Sequence, residues 1–381
     1  MKAVHFGAGS IGRGFVGDLL HDSGYEVVFL DINDDLLAAI NATHSYEFRL
    51  IEDGYRVKTI DNVRGVSSRL APKQAIEEIA TADLITTSVW ADNLRHIAPL
   101  LAAGLAARNS RKAKRVNVIA AENAMRNSEL LRAEILNTGV LTETDLDTSA
   151  AFPNTAVDRL VLESEKNGHH VLDVGRDHEL VIDKMALADP NIEPIAGAIY
   201  SDDVIAYIER KLYIINSGHS WAGYVGHLRG FEIMQDVLGD GELRGEMREA
   251  MRESAAVIHE RYGFDTDSLD KYIDFAINRF RTPGVTDTVS RVCRSPIRKL
   301  GSDERFVGPA SKAVELGIPY ARLARGIAAI LKYDDPEDPQ SVELLAEVAS
   351  AGPAVTLTHR SGLTPDSLLH RAVLDAYESA E

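Results

Sequence analysis

One cysteine, Cys293, in 381 residues excludes an internal disulfide and any thiolate zinc cluster, and the expectation for that thiol is a packing residue in a reducing compartment. No uncharged apolar run reaches the roughly 18 residues of a membrane-spanning helix. The opening MKAVHFGAG enters a strand-like run without a charged-then-apolar leader, so a cytoplasmic chain is expected. Positive charge is scarce too. The 41 Lys and Arg stand against 58 Asp and Glu, a formal charge of −17, which disfavours nucleic acid and anionic membranes as partners. Internal repeats and low-complexity tracts are absent, while 45% hydrophobic and 26% charged residues are ordinary for a folded chain.

The length exceeds what one core usually organises, and about 150 residues per domain gives a prior of two. Residues 2–6 (KAVHF) read as a strand, followed by a glycine-rich turn and a helical pattern ending near Ser23 and Gly24, where glycine suits the position just past a helix. Residues 26–30 (EVVFL) form a second strand ending at Asp31, closing a βαβ unit of about 30 residues. A strand at 83–87, a helix over 91–107, a strand at 117–121 and a helix after Asn123 continue the alternation, which implies a parallel doubly wound sheet. Residues 46–60 and 160–182 read instead as hairpins or irregular β insertions. From about Asp202 onward the apolar positions recur at helical spacing, with breaks expected at Pro283, Pro296, Pro309, Pro319, Pro336 and Pro339.

HFGAGSIGRGF carries G-x-G-x-x-G at Gly7, Gly9 and Gly12, with Gly14 extending it. Gly7 permits the tight turn, Gly9 lets the backbone approach a pyrophosphate, and Gly12 lets the helix pack closely on the strand; the helix N-terminus offers unpaired N–H groups to the anion. The motif alone is weak, but here it follows a strand, opens a helix and precedes Asp31 at a strand end, which is the confirming context for a dinucleotide site. Phe6, Ala8, Ser10 and Ile11 complete the expected loop contacts. Asp31 would accept from an adenosine ribose hydroxyl. Asp34 and Asp35, with no Arg or Lys near them in the sequence, would repel a 2′-phosphate, so the cofactor expected is NAD rather than NADP. Arg13 either sits over the pyrophosphate or is a solvated helix-surface residue. Thr87 and Ser88, with the residues to Trp90, follow a strand's carboxyl end and are expected to border the nicotinamide. The fold class is therefore α/β. A doubly wound, Rossmann-type NAD-binding domain is expected over 1–190 and a mainly α-helical substrate domain over 191–381, with the boundary in the Pro- and Gly-rich ADPNIEPIAG.

KLYIINSGHSW, at 211–221, places a lysine, an asparagine and a histidine in a segment that otherwise reads as buried and apolar, where an orphan polar group costs roughly 1–3 kcal/mol. In a straight α-helix over 201–228, Asn216 lies about 140° and His219 about 80° round from Lys211, so the three share one broad face. Gly218, about 20° to the other side, would leave room for a ligand or another backbone. A lysine snorkelling outward beside a satisfied Asn and His is the structural reading of the same triplet. Oxidation of an alcohol needs a hydride acceptor, a base for the hydroxyl proton and donors for the developing oxyanion. A lysine can be that base, an amide the donor and an imidazole the orienting group, without a metal. YIERK at 207–211 matches the Y-x-x-x-K of short-chain dehydrogenases. That family leaves three residues between its first two glycines and keeps the pair inside the nucleotide domain, so Tyr207 is set aside. Zinc chemistry is disfavoured as well: there is no cysteine ligand set and no His-Glu-x-x-His, and His169 and His170 read as surface residues of a turn.

HFGAGSIGRGF, AENAMRNS at 121–128, AVDRLV at 156–161 and K-x₄-N-x₂-H at 211–219, with ERKLYIINSGH, RYGFD, RSPIRKL, GIPYARLARGIAA and EDPQSVELLAEV, make the chain resemble the polyol-specific long-chain dehydrogenases nearly end to end. The resemblance implies reversible, metal-independent oxidation of D-mannitol 1-phosphate to D-fructose 6-phosphate with NAD. Its partner would be a small sugar or polyol phosphate, with no nucleic acid or membrane, and a monomer is left open. On this resemblance Lys211 is the general acid–base, Asn123 and Asn216 form the oxyanion site, His219 contacts a substrate hydroxyl, and Asp158 with Arg159 line the polyol pocket, in a cleft between the domains. From the residues alone, Asn123 could instead cap the helix that follows, and Asp158 and Arg159 could be a structural ion pair. Ala121 stands where relatives carry Cys, which hardly touches the chemistry.

Family members also act on free fructose or hexuronates. Here Arg291, Arg294, Arg298, Lys299 and Arg305 fall in a stretch whose only acids are Asp303 and Glu304, and guanidinium forks suit phosphate. Arg294, Arg298 and Lys299 are the candidate substrate-phosphate ligands, with a solvated helix end as the alternative. A mannitol 2-dehydrogenase or hexuronate reductase of the same architecture, and a catalytically silent dinucleotide-binding regulator, are the other readings.

Overall fold

Runs such as AVHF and VVFL have no polar face, and in the computed structural model they form the central strands of a parallel sheet that is buried on both sides. The structure describes residues 1–166, 169–282 and 286–379; the break expected at Pro283 and the side chain of His169 lie outside the described residues. The chain divides into two compact units, Met1–Tyr207 and Ile208–Glu381.

The first unit contains β1 (Lys2–Phe6), β2 (Glu26–Asp31), β3 (Tyr46–Leu50), β4 (Arg56–Ile60), β5 (Val63–Ser67), β6 (Leu84–Thr87), β7 (Val116–Ala120), β8 (Ala150–Ala151), β9 (Thr155–Lys166), β10 (His169–Asp183) and β11 (Ile199–Ser201). The main sheet runs β5-β2-β1-β6-β7-β8, every neighbouring pair parallel. In order of use within the sheet this is 3-2-1-4-5-6, the doubly wound order, with its switch point between β1 and β6. Alternation along the strands sorts the core. Val4, Phe6, Val28 and Leu30 pack with the helices Pro72–Ala80, Leu94–Ser110 and Asn127–Asn137. Ala3, Val27 and Phe29 point to the opposite side.

That opposite side is covered by a second sheet, β11-β10-β3-β4 with β9 on β10, through Phe48, Leu172, Val174, Leu180 and Ile182. Its antiparallel pairs β3–β4 and β9–β10 are the insertions expected at 46–60 and 160–182. The first unit continues past residue 190, because β11 adds in parallel to β10.

The second unit is helical. Ser217–Leu228 is packed among Met234–Gly239, Gly241–Tyr262, Val289–Cys293 and Ala321–Leu331, around the fully buried Tyr213, Trp221, Tyr224, Phe306 and Tyr333. Cys293 is buried in this core, as its residue type suggested. Pro296 and Pro339 open helices at the first position, where the missing N–H is not needed. Pro309, expected as a break, sits in the first turn of Val307–Leu316 for the same reason. Among the described residues, no helix is long and apolar enough to cross a membrane.

Candidate active site

β1 ends at Phe6 and the chain turns at Gly7, whose φ of +101° favours glycine and whose N–H donates to the Leu30 carbonyl at 2.9 Å. A Cβ on Gly12 would lie 1.9 Å from the Gly7 oxygen, so the helix can leave the strand this closely only with glycine there. A Cβ on Gly9 would meet no protein atom within 4 Å, which suits a residue whose bareness serves a ligand rather than packing. The helix opens with a π-helical turn, Gly12–Val16, a feature that recurs at functional sites.

Asp31 accepts from the Ala8 N–H at 2.6 Å through one carboxylate oxygen, and from the Ile32 and Asn33 N–H groups at 2.7 and 2.9 Å through the other. A carboxylate has about four lone-pair sites, so it can tie the loop to β2 and still accept from a ribose hydroxyl. Arg13 is not a solvated helix-surface residue, because its side chain is 11% exposed. Its Nε donates to the Ala8 carbonyl at 2.7 Å and its Nη2 to Glu163 at 2.9 Å, bracing the loop. Asp34 does have a cation beside it, because the turn after β5 brings in Arg69 to pair with it. Asp31, Asp34 and Asp35 against one arginine still leave this corner negative.

At the switch point the Ser88 N–H donates to the Phe6 carbonyl at 2.8 Å. The Ser88 hydroxyl lies 2.8 Å from His5 Nε2, and His5 Nδ1 lies 2.7 Å from the Thr86 hydroxyl. Burial lowers the His5 pKa to about 3, so the ring is a neutral strut. Thr87 is buried and its hydroxyl donates to Glu122 Oε1 at 2.8 Å; the Val89 N–H donates to the same oxygen at 3.0 Å. Burial raises the Glu122 pKa, and these donors work against that shift. Sequence reasoning overlooked Glu122, although an acid directly after an apolar strand was a usable signal.

Asn123, next along, is exposed and does not cap the following helix. That helix begins at Asn127, and its first N–H groups, from Ser128 and Glu129, donate to the side chain of Asn154 at 3.2 and 3.3 Å. Asn127, also overlooked, is fully buried; its Nδ2 donates to the Glu122 carbonyl at 2.9 Å and the Thr155 hydroxyl at 2.8 Å, fixing the turn that presents Asn123.

The helix expected over 201–228 is not one α-helix. Val204–Arg210 and Ser217–Leu228 are α-helical, but Lys211–Asn216 between them is a turn of π-helix. Its i→i+5 bonding turns the chain less per residue than an α-helix does, so Asn216 comes closer round the axis to Lys211 than the about 140° of a straight α-helix. Lys211, Asn216 and His219 are each half-buried, so none bears the full penalty of an interior polar group. The His219 ring stacks on Phe280, centroids 4.1 Å apart and planes at 10°. Its Nε2 lies 3.6 Å from Asp287, which Arg291 grips at 2.5 Å on each oxygen. Burial lowers the His219 pKa to about 4 against the opposing pull of Asp287, so the imidazole is neutral above that pH. Gly218 leaves no room for a ligand: a Cβ there would lie 2.5 Å from Met251 Cγ, so its bareness serves helix packing.

Arg159 is buried inside the first unit. Its side chain is 3% exposed, its Nη1 is 2.5 Å from Asp18, and its Nε donates to the Gly175 carbonyl at 2.9 Å. A structural ion pair exists, then, but with Asp18 and not Asp158, its neighbour on β9, which faces the other side of the strand. Asp18 also pairs with Lys58 at 2.6 Å. Arg159→Met should therefore destabilise the protein, toward the lower end of the roughly 3–5 kcal/mol lost when one partner of a buried pair is removed. Denaturant titration reads that loss, while an unchanged KM for the sugar in the folded fraction separates it from a substrate-binding role.

The basic cluster splits into distinct roles. Arg298 and Arg305 pair with Glu304 at 3.0 and 3.1 Å. Lys299 is turned inward, 3% exposed, donating to the Val292 carbonyl at 2.5 Å, and burial with the nearby Arg305 lowers its pKa to about 7. Arg294 is exposed and has no carboxylate partner among the described residues. Arg294 and Arg298 are thus the outward-facing members of the expected phosphate set.

A glycine loop at the β1/β6 switch point, with an acid ending β2, defines the first unit as a dinucleotide-binding domain. The family model described as the mannitol dehydrogenase Rossmann domain matches residues 1–194, and that of the mannitol dehydrogenase C-terminal domain matches residues 203–374. The chain belongs to the mannitol dehydrogenase family. It is 39% identical to a mannitol-1-phosphate 5-dehydrogenase of Arthrobacter sp. strain FB24, over 98% of this chain and 97% of that protein, and 41% identical to one of Exiguobacterium sp. strain AT1b, over 99% and 97%. Two solved structures share the fold: Pseudomonas fluorescens mannitol 2-dehydrogenase, in a ternary complex with NAD and D-mannitol, at 18% identity and TM-score 0.74 over 100% of this chain and 91% of that one, and a substrate-free D-sorbitol dehydrogenase at 17% and 0.83 over 99% and 92%.

Proposed function

We propose that this protein is a cytoplasmic enzyme that reversibly oxidises D-mannitol 1-phosphate to D-fructose 6-phosphate with NAD. The observation that carries the substrate is the 39–41% identity, across nearly the whole chain, to proteins named for that reaction. Bound NAD supplies the hydride acceptor. The loop from Gly7 to Gly14 would hold its pyrophosphate against Gly9 and the helix N-terminus, and Asp31 would accept from the adenosine ribose. Lys211, as the free amine, takes the proton of the substrate's C5 hydroxyl as that carbon gives up its hydride, and returns it in the reverse direction. Asn216 and Asn123 donate amide N–H groups to the oxygen as charge develops on it. His219, neutral and held flat against Phe280, hydrogen-bonds a neighbouring hydroxyl, and Asp158 contacts the polyol. Arg294 and Arg298 take the phosphate.

NADH oxidation with fructose 6-phosphate, fructose and fructuronate tests the assignment. Fructose 6-phosphate should give much the highest kcat/KM, and a preference for either unphosphorylated sugar would overturn it. Arg294→Ala should raise KM for fructose 6-phosphate about tenfold, the order expected for one charge-assisted hydrogen bond, and leave weak turnover of fructose as it was. Equal effects on both sugars would remove Arg294 from the phosphate site.

A further inference from the structure

Trp90 has no part in the scheme above, yet its backbone conformation is unusual. It is 79% exposed, with φ 71° and ψ 141°. His44, Arg126 and Ser295, also at positive φ, sit in the left-handed helical well with ψ of 30°, 41° and 59°. The Trp90 pair of angles falls instead near a region that glycine alone ordinarily enters. A bulky residue there is a true outlier, and an exposed indole gains nothing from the core that would offset the strain.

The surroundings over-determine this turn. Buried Glu122 accepts from the Thr87 hydroxyl at 2.8 Å and the Val89 N–H at 3.0 Å. Asn93 closes the other side: its Nδ2 donates to the Val89 carbonyl at 2.8 Å and its N–H to the Trp90 carbonyl at 3.0 Å. The turn also abuts the glycine loop, since a Cβ on Gly7 would lie 2.7 Å from the Ser88 oxygen and 3.2 Å from Val89 Cγ1. A dinucleotide with its pyrophosphate on that loop and its adenosine ribose at Asp31, on the β2 side, must send its other half across the switch point toward β6. Trp90 stands three residues past the end of β6.

We propose that Trp90 is a cofactor-binding residue whose indole forms a wall for the nicotinamide riboside half of NAD, with Glu122 as the positioning residue that holds the turn in its strained form. The proposal rests on the NAD reading above. The chain has two tryptophans, and the other, Trp221, is fully buried in the second unit, so indole-excited energy transfer to bound NADH can be assigned. Wild type, Trp90→Gly and Glu122→Gln are titrated with NADH and with ADP-ribose, which lacks the nicotinamide, and affinities are read by calorimetry.

Trp90→Gly should melt at a higher temperature than wild type, because glycine adopts the backbone without strain. It should bind NADH roughly three- to tenfold more weakly, the range for one aromatic contact, lose most of the energy transfer, and bind ADP-ribose as before. Glu122→Gln should show the same NADH-selective loss. Unchanged NADH affinity and transfer in Trp90→Gly would overturn the proposal, as would an equal weakening of ADP-ribose. Wild type that binds neither ligand would instead sink the NAD reading and this proposal with it.

Discussion

Lys211→Ala should reduce fructose 6-phosphate turnover to between about a hundredth and a ten-thousandth of the wild-type rate, the span lost with a general acid–base, while its calorimetric affinity for NADH stays that of wild type. The size follows from what the neighbours cannot do. Asn216, brought closer round the axis to Lys211 by the π-helical turn, has no titratable proton. His219, with a pKa of about 4 from burial, is too weak a base to replace an amine near neutral pH. No other group on this stretch can take the hydroxyl proton, so the loss should appear in kcat and in kcat/KM together, the pattern of an interaction made in the transition state. Partial rescue by small primary amines would place the missing function in the amine itself. A variant with near-normal kcat, or one that changes only KM, would sink the assignment of Lys211 as the base.

What the sequence could show and what it could not divide by the range of the interactions. The strand, glycine loop and Asp31 of the first βαβ unit, and the hairpins β3–β4 and β9–β10, were legible because each is a local pattern of apolar alternation and turn residues. The polar triplet at Lys211, Asn216 and His219 was legible as a set, but its geometry was not. A straight α-helix spreads Lys211 and Asn216 apart, and the π-helical turn that brings them closer is a choice of backbone bonding that side-chain spacing does not encode. What the sequence did not show comes from partners far along the chain. Arg159 is held by Asp18, Asp34 is met by Arg69, and the helix after Asn123 is satisfied by Asn154. Each residue looked available beside its sequence neighbours and is engaged by a residue that only the fold supplies. Lys299 illustrates the same limit from burial: a charge run gave no sign that one of its members turns inward.

Gly12→Ala should collapse stability and NADH binding together, whereas Gly9→Ala, three residues away in the same motif, should lose only the binding. A Cβ on Gly12 would lie 1.9 Å from the Gly7 oxygen, 2.9 Å from His5 Nε2 and 3.0 Å from the Gly7 carbonyl carbon. None of these can retreat. The Gly7 N–H is bonded to the Leu30 carbonyl at 2.9 Å, and the His5 ring is pinned between Thr86 and Ser88 at 2.7 and 2.8 Å. The helix itself must then lift from the sheet, uncovering Phe15, Val16, Leu19 and Leu20, all buried. Overpacking usually costs about 1–3 kcal/mol when side chains can adjust; with backbone as the obstacle the loss should reach or pass the upper end, read as a lowered denaturation midpoint. On Gly9 an added Cβ meets no protein atom within 4 Å, so the midpoint should hold. The methyl would instead stand where the backbone has to approach a pyrophosphate, and NADH affinity should fall by about 1.4 kcal/mol or more, a tenfold weakening. If Gly9→Ala bound NADH as wild type does, the space beside Gly9 would not be the path of the dinucleotide, and the placing of its two halves toward Asp31 and Trp90 would fail with it. If Gly12→Ala were as stable as wild type, the helix would have slack on the sheet that its contacts do not suggest.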